Sequence, residues 1–223
     1  MQTVLITGAN RGIGLSLARR YTTRGDRVIA ACRQSSAELE ATGAQVEAGV
    51  DVTDAKALEA LAQRLGDNRI DVLVCNAGIL GREALDGLDA DAFERMRRQF
   101  EVNALGPLRT VHALRGALGE GAKVGIVTSR MGSVADNSSG GRYGYRASKA
   151  AVNAIGKSLA VDLEPRGIAV VLLHPGYVAT DMVGGSGDIQ PDDAAAQLVQ
   201  RLDELTLGTT GTFRHANGES LPW

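Results

Sequence analysis

Six short runs rich in Val, Ile, Leu and Ala recur along the chain, at residues 2–7, 27–32, 45–50, 70–75, 123–128 and 168–174. Runs this continuous bury both faces, as the strands of a parallel sheet do. Stretches with apolar residues at helical spacing separate them. These cover residues 12–24, stopped by Gly25; 55–65, closed by Gly66; and 89–118, with Gly106-Pro107 inside as a bend. Two more cover 143–163, closed by Pro165 and Gly167, and 191–205, with Pro191 in the first turn. The tail from Gly211 to Trp223 has room for one more strand. Regular alternation of this kind predicts an α/β fold, a doubly wound parallel sheet of about seven strands with helices on both faces. No linker, repeat or low-complexity segment interrupts it, so residues 1–223 read as one domain. In such sheets ligands bind outside the carboxyl ends of the strands. The chain keeps its unusual residues there: Gly8, Arg33, Asp51, Asn76, Ser129 and Pro175.

Composition narrows the function classes. A net charge of −2 and an isoelectric point near 5.9 argue against a nucleic-acid surface. No apolar run approaches the ~18 residues of a membrane span. The opening MQTVLITGAN lacks the charged region and cleavage site of a secretory signal, so a cytoplasmic location is expected. Cys32 and Cys75 make no disulfide framework. His112, His174 and His215 are far apart and lack ligand-like pairing, so no metal site is read.

The first strand runs into Thr7-Gly8-Ala9-Asn10-Arg11-Gly12-Ile13-Gly14. A helix starting there can set its N-terminal amides on a pyrophosphate, with glycines allowing close approach. Composition alone supplies the bare GxxxGxG pattern about 0.4 times, so its place between a strand and a helix carries the signal. A plain strand-to-helix turn is the rival reading. NAD would want an acid at the tip of the second strand for the ribose 2′-hydroxyl. That strand ends Ala30-Ala31-Cys32-Arg33 instead. Arg11 and Arg33 could clamp a 2′-phosphate with fork-shaped, charge-assisted hydrogen bonds, which favours NADP(H) over NAD(H). With 20 Arg against 4 Lys, ordinary solvated arginines are the alternative.

Tyr145 and Lys149 lie four apart in the long helix, on one face. A phenol titrates near 10, and a nearby ammonium favours the phenolate. Such a tyrosine can give a proton to a carbonyl oxygen as hydride arrives, or take it in reverse. Four tyrosines and four lysines produce this spacing by chance only about 0.07 times, so it outweighs the reading as a plain helix pair. Other candidates have plainer readings: Asp51 as a helix cap and Asn76-Ala77-Gly78 as a strand-end turn. Ser133 competes with Ser129 for the oxygen-binding role, but Ser129 directly follows the fifth strand at the ligand-facing end and is preferred.

Taken together, these motifs resemble the short-chain dehydrogenase/reductase family, a Rossmann-like fold, over nearly the whole chain. The resemblance rests on Thr7-Gly8-x-x-x-Gly12-x-Gly14, Asp51-Val52, Asn76-Ala77-Gly78, Asn103, Ser129, Tyr145-x-x-x-Lys149 and Pro175-Gly176-x-Val178-x-Thr180. Residues 128–133, 144–149 and 221–223 are similar to the C-factor and Sniffer-type carbonyl reductase branch. The resemblance implies that Tyr145 is the general acid/base. Lys149 would hold the nicotinamide ribose and lower the tyrosine's pKa. Ser129 would orient the substrate oxygen, and Asn103 would bend its helix and hold a relay water. Gly8, Asn10, Arg11, Gly12, Ile13 and Gly14 would line the phosphates and adenosine ribose. Asp51 and Val52 would meet the adenine, and Asn76, Ala77 and Gly78 would pack beside the adenosine ribose. Pro175, Gly176, Val178 and Thr180 would cover the nicotinamide. A homodimer or homotetramer through residues 93–118 and 143–163 is also implied.

Ser129 lies 16 positions before Tyr145, a few more than is common in the family, and residues 137–141 look like an inserted loop. The lid, residues 182–190, is short and glycine-rich, which implies an open pocket for small aldehydes and ketones or their alcohols. The rivals are a cofactor-binding regulatory protein with little turnover and a nucleotide-sugar epimerase or dehydratase. The intact Ser-Tyr-Lys set disfavours the first, and 223 residues leave no sugar-nucleotide domain for the second. An enoyl reductase is disfavoured by the Tyr-to-Lys spacing.

Overall fold

In the computed structural model, which describes residues 1–223, seven strands form one sheet. They are β1 (Thr3–Thr7), β2 (Arg27–Ala31), β3 (Gln45–Glu47), β4 (Ile70–Cys75), β5 (Leu118–Val127), β6 (Ala169–His174) and β7 (Thr212–His215). Every neighbouring pair is parallel, in the order β3-β2-β1-β4-β5-β6-β7. The helices are α1 (Gly12–Thr23), α2 (Ala37–Glu40), α3 (Ala55–Leu65), α4 (Ala90–Phe100), α5 (Gly106–Leu114), α6 (Tyr143–Leu163) and α7 (Pro191–Glu204).

Successive strand side chains point to opposite faces, and both faces are buried. Leu5, Ile29, Leu73, Val124 and Val170 join Leu61 of α3, Val111 of α5 and Val152 of α6 in one core. Val4, Ile6, Val28, Val72 and Val171 join Leu17 and Tyr21 of α1 and Leu198 of α7 in the other. The sheet is therefore doubly wound. The strand order reverses between β1 and β4, and ligands of such sheets bind at that switch point.

Three elements depart from expectation. The stretch 89–118 is two helices joined by a wider π turn at Glu101–Leu105. The break therefore falls before Gly106-Pro107, and Pro107 sits harmlessly in the first turn of α5. Residues 115–118 are not helical, because Leu118 already pairs with Ile70 and opens β5. β3 ends at Glu47 rather than Val50, because the chain turns at Gly49, with φ +77°. The single turn α2, capped by the Ser36 hydroxyl on Leu39 N at 3.2 Å, is too short to show a period. No helix is long and apolar enough to cross a membrane.

Candidate active site

The ends of β1 and β4 are locked together by their own motifs. Thr7 Oγ1 accepts from the amides of Asn76 (3.1 Å) and Ala77 (3.2 Å). Asn76 Nδ2 donates to the carbonyls of Thr7 and Gly8, both at 3.1 Å. Gly8, at φ +66°, needs its freedom twice, since a Cβ there would also lie 2.9 Å from Ala77 Cα. A Cβ on Gly14 would overlap the Gly8 carbonyl oxygen and lie 2.6 Å from Asn76 Nδ2. Asn76-Ala77-Gly78 is thus a brace for the glycine loop rather than a plain turn.

The brace leaves α1 starting at the switch point with an open N-terminus. Arg11, its N-cap, makes no side-chain cap, and the first turn contains no acid. First-turn amides have no partner within the helix, so these donors and the helix dipole fit an anionic pyrophosphate. Arg11 and Arg33 are exposed. Arg11 reaches Asp181 at 3.8 Å, with both side chains exposed. Arg33 lies close enough to Asp51 to help hold its carboxyl below the usual range, after the larger effects of burial, which opposes this, and of the Thr53 hydrogen bonds and Arg98. Asp51 does not cap α3; Asp54 does. Val52 is buried against Gly106, where a Cβ would come within 2.9 Å of it.

Ser129 and Tyr145 meet at the end of β5. The Ser129 side chain accepts from Met131 N at 3.2 Å, capping a single turn at Arg130–Gly132, and its hydroxyl lies near enough to the Tyr145 phenol to draw that group's pKa down. Ser133 points away, donating to Trp223 O and accepting from Asp136 N, both at 3.1 Å. Ser129 is therefore the serine beside the tyrosine. Gly132 brings this turn onto α6, where a Cβ would lie 2.6 Å from the Lys149 carbonyl carbon.

Lys149 is buried, its Nζ donating to Val127 O at 2.9 Å and lying 5.7 Å from the centre of the Tyr145 ring. Burial pushes its ammonium down to about 8. Burial also pushes the Tyr145 phenol up, and Ser129 and Arg142 draw it partly back. The expected lowering is therefore not what the structure gives. The net direction is upward, and Arg142, a residue the motifs did not flag, is among the groups drawing the phenol back. Asn103 sits inside the π turn. Its Oδ1 accepts from Ile79 N (2.8 Å), and its Nδ2 donates to Ile79 O (2.8 Å) and Ser148 Oγ (3.1 Å). The bend belongs to the backbone, and the side-chain amide is committed to pinning the segment after Gly78 against α6.

Pro175-Gly176 turns the chain off β6, with Gly176 at φ +94°. Val178 bridges Ile189, Ala179 N donates to Ile189 O at 2.9 Å, and Asp188 N donates to Tyr177 O at 2.8 Å. The lid is thus tied back on residues 177–179. Thr180 lies over the glycine loop, where a Cβ on Gly12 would come within 3.2 Å of its Cγ2. His174 and His215, far apart in sequence, stack edge to face at 4.9 Å because β6 pairs with β7. Burial, His215 and nearby cations push His174 down to about 3. No group of three or more His, Cys, Asp or Glu is placed to hold a metal ion.

The fold and this constellation define an oxidoreductase class. The short chain dehydrogenase family profile matches residues 2–190, and the chain belongs to that family. It is similar to 1-hydroxy-2-glutathionyl-2-methyl-3-butene dehydrogenase of Rhodococcus sp. (strain AD45), 48% identical with all of both chains covered. Among solved structures, it is similar to the carbonyl reductase Sniffer of D. melanogaster, with a TM-score of 0.90, 29% identity and all of both chains covered. It also resembles a carbonyl reductase from Pseudomonas aeruginosa PAO1 in complex with NADP, with a TM-score of 0.87, 36% identity and the same full coverage. The Sniffer-type resemblance of residues 128–133 and 144–149 accords with these neighbours.

Proposed function

We propose that the chain is a single-domain, NADPH-dependent carbonyl reductase, converting aldehydes or ketones to alcohols and running in reverse on alcohols. The observation that carries this reading is the Ser129–Tyr145 hydroxyl pair beside buried Lys149, at the same sheet edge as the uncapped α1. The NADP-bound neighbour and the relative named as a 1-hydroxy-2-glutathionyl-2-methyl-3-butene dehydrogenase support it.

NADPH supplies the hydride. Gly8, Asn10, Arg11, Gly12, Ile13 and Gly14 hold its phosphates, and Asn76, Ala77 and Gly78 brace that loop. Asp51 and Val52 flank the adenine, Arg11 and Arg33 take the 2′-phosphate, and Pro175, Gly176, Val178 and Thr180 cover the nicotinamide. Lys149 holds the nicotinamide ribose. Ser129 and Tyr145 hold the carbonyl oxygen between two hydroxyls, and Tyr145 delivers the proton that completes the alcohol. An upward-shifted phenol stays protonated at neutral pH, as a donor must. Asn103 positions α6 through Ser148 and Ile79. The protein is cytoplasmic on this reading, in keeping with two free, buried thiols. Exposed Phe93, Phe100, Leu108, Tyr143 and Val161 on α4, α5 and α6 support a homodimer or homotetramer through those helices.

The test is a fluorescence titration with NADPH and NADH. Wild type is expected to bind NADPH at least about tenfold tighter, a difference of about 1.4 kcal/mol, and Arg33→Ala to lose that preference. Equal binding of both by wild type would return the arginines to surface charge.

A further inference from the structure

Arg142 is the one non-glycine residue in the chain with positive φ, at +49°. An L side chain pays for that conformation, and residues held there against the cost gather at functional sites. The two preceding glycines, Gly140 and Gly141, have φ +62° and +61°, so the inserted loop enters α6 through three consecutive left-handed residues. The neighbouring structure fixes the last of them. Arg142 N donates to Glu83 O at 2.7 Å, and Arg146 N donates to Arg142 O at 2.9 Å. Glu83 is itself buried, its carboxylate accepting from Gln99 Nε2 (2.6 Å) and from Gly144 N (3.3 Å) at the start of α6.

This backbone turns the Arg142 side chain toward Met131, two residues beyond Ser129, with Nη1 at 3.6 Å from the sulfur. Its charge acts on the Tyr145 phenol. The guanidinium is exposed and has no carboxylate within 4.0 Å. Neighbouring arginines are already used. Arg130 pairs with Asp136 at 3.3 Å and Glu219 at 3.0 Å. Arg146 binds Ser139 Oγ at 2.8 Å and the carbonyls of Gly140 and Met131, tying down the loop. Arg146 also lacks a carboxylate, but its donors are spent on the loop. Arg142 alone among these three keeps a fork of donors with no oxygen partner, against Met131 of the Ser129 turn, and a planar fork of this kind matches a carboxylate.

We propose that Arg142 anchors a carboxylate of the substrate, so that the protein's substrate is a carbonyl compound or alcohol bearing an acid group a few atoms from the reacting carbon. The proposal rests on the carbonyl-reductase reading for the reaction and on the loop geometry for the anchor.

The test compares para-formylbenzoate with its methyl ester, which share an aldehyde and differ in charge. Turnover is followed with NADPH, and binding is followed by calorimetry with NADP⁺, where no reduction occurs. The variants are Arg142→Asn, which tolerates the left-handed backbone, and Arg142→Lys, which keeps the charge. Wild type is expected to favour the acid over the ester at least about tenfold in kcat/KM, through KM. Arg142→Asn should bring that ratio to about one, and Arg142→Lys should keep part of it. Added salt should lower the preference of wild type. Taking the ratio cancels any common effect of the variant on Tyr145. A ratio near one in wild type, or an unchanged ratio in Arg142→Asn, overturns the anchor while turnover of both aldehydes leaves the reductase reading standing. Tighter binding of the acid that depends on Arg142, with neither aldehyde reduced, upholds the anchor and overturns the reductase reading. If neither aldehyde binds or reacts, both are overturned.

Discussion

Lys149→Met should make the protein more stable at pH 7 while removing its activity. The Lys149 ammonium is buried and titrates at about 8 in the folded chain, against an ordinary value of 10.5. Below pH 8 both folded and unfolded chains carry the proton, and folding must bury a charge. Between about pH 8 and 10.5 the unfolded chain binds the extra proton, so stability rises with pH across that window. The gap from 10.5 to about 8, at about 1.4 kcal/mol per pH unit, amounts to about 3 kcal/mol. Methionine has a similar length and no charge, but it forfeits the 2.9 Å bond from Nζ to Val127 O, worth about 1 kcal/mol. The variant should therefore gain about 2 kcal/mol at pH 7 and lose about 1 kcal/mol at pH 10.5. Urea unfolding followed by circular dichroism at both pH values reads the difference, in which the other titrating groups cancel. A variant no more stable than wild type at pH 7, with a difference that stays flat up to pH 10.5, would refute the reasoning. A confirmed gain would make Lys149 a site where stability is sacrificed for function.

Gly14→Ala places a Cβ against the Gly8 carbonyl and Asn76 Nδ2. It should cost about 3 kcal/mol in urea unfolding, the upper range for overpacking, and weaken NADPH binding by more than about tenfold. Ser129→Ala should lower kcat by at least about a hundredfold, and cost about 1 kcal/mol with the cap on Met131 N. Ser133→Ala should lose a similar amount, about 1 kcal/mol, with the bond to Trp223 O, but keep most activity. A matched pair of kinetic and unfolding measurements separates the two serines.

Periodicity and punctuation made much of this fold legible. The apolar runs ending at Thr7, Cys75 and His174 became strands of the doubly wound sheet, and Pro165 and Gly167 correctly marked the end of α6. What periodicity could not show was backbone geometry that leaves side-chain spacing nearly intact. The π turn around Asn103 adds a wider loop without disturbing the apolar pattern, so periodicity points to Gly106-Pro107 and only the family resemblance puts a bend at Asn103. The start of β5 at Leu118 was hidden because Gly119, Glu120 and Gly121 interrupt its apolar run.

At the site, sequence order could flag Tyr145, Lys149 and two serines. It favours Ser129, which directly follows the fifth strand, over Ser133, but it cannot show that the C-terminal Trp223 claims the Ser133 hydroxyl. Nor could it see that Arg142 also acts on the phenol. The signal for that residue is the pair Gly140-Gly141 just before a helix, where left-handed geometry can carry on into the next residue. The His174–His215 contact depends on pairing between β6 and β7, which spacing in sequence does not reveal.

The central claim is that Tyr145 protonates a carbonyl oxygen as NADPH delivers hydride, and Tyr145→Phe tests it most directly. NADPH affinity is measured by fluorescence, and reduction of the methyl ester of para-formylbenzoate is followed by loss of NADPH absorbance. The account predicts reduction by wild type, unchanged NADPH affinity in the variant, and a kcat lower by about a hundredfold to ten-thousandfold. A variant that binds NADPH normally and keeps kcat within about tenfold of wild type would contradict it.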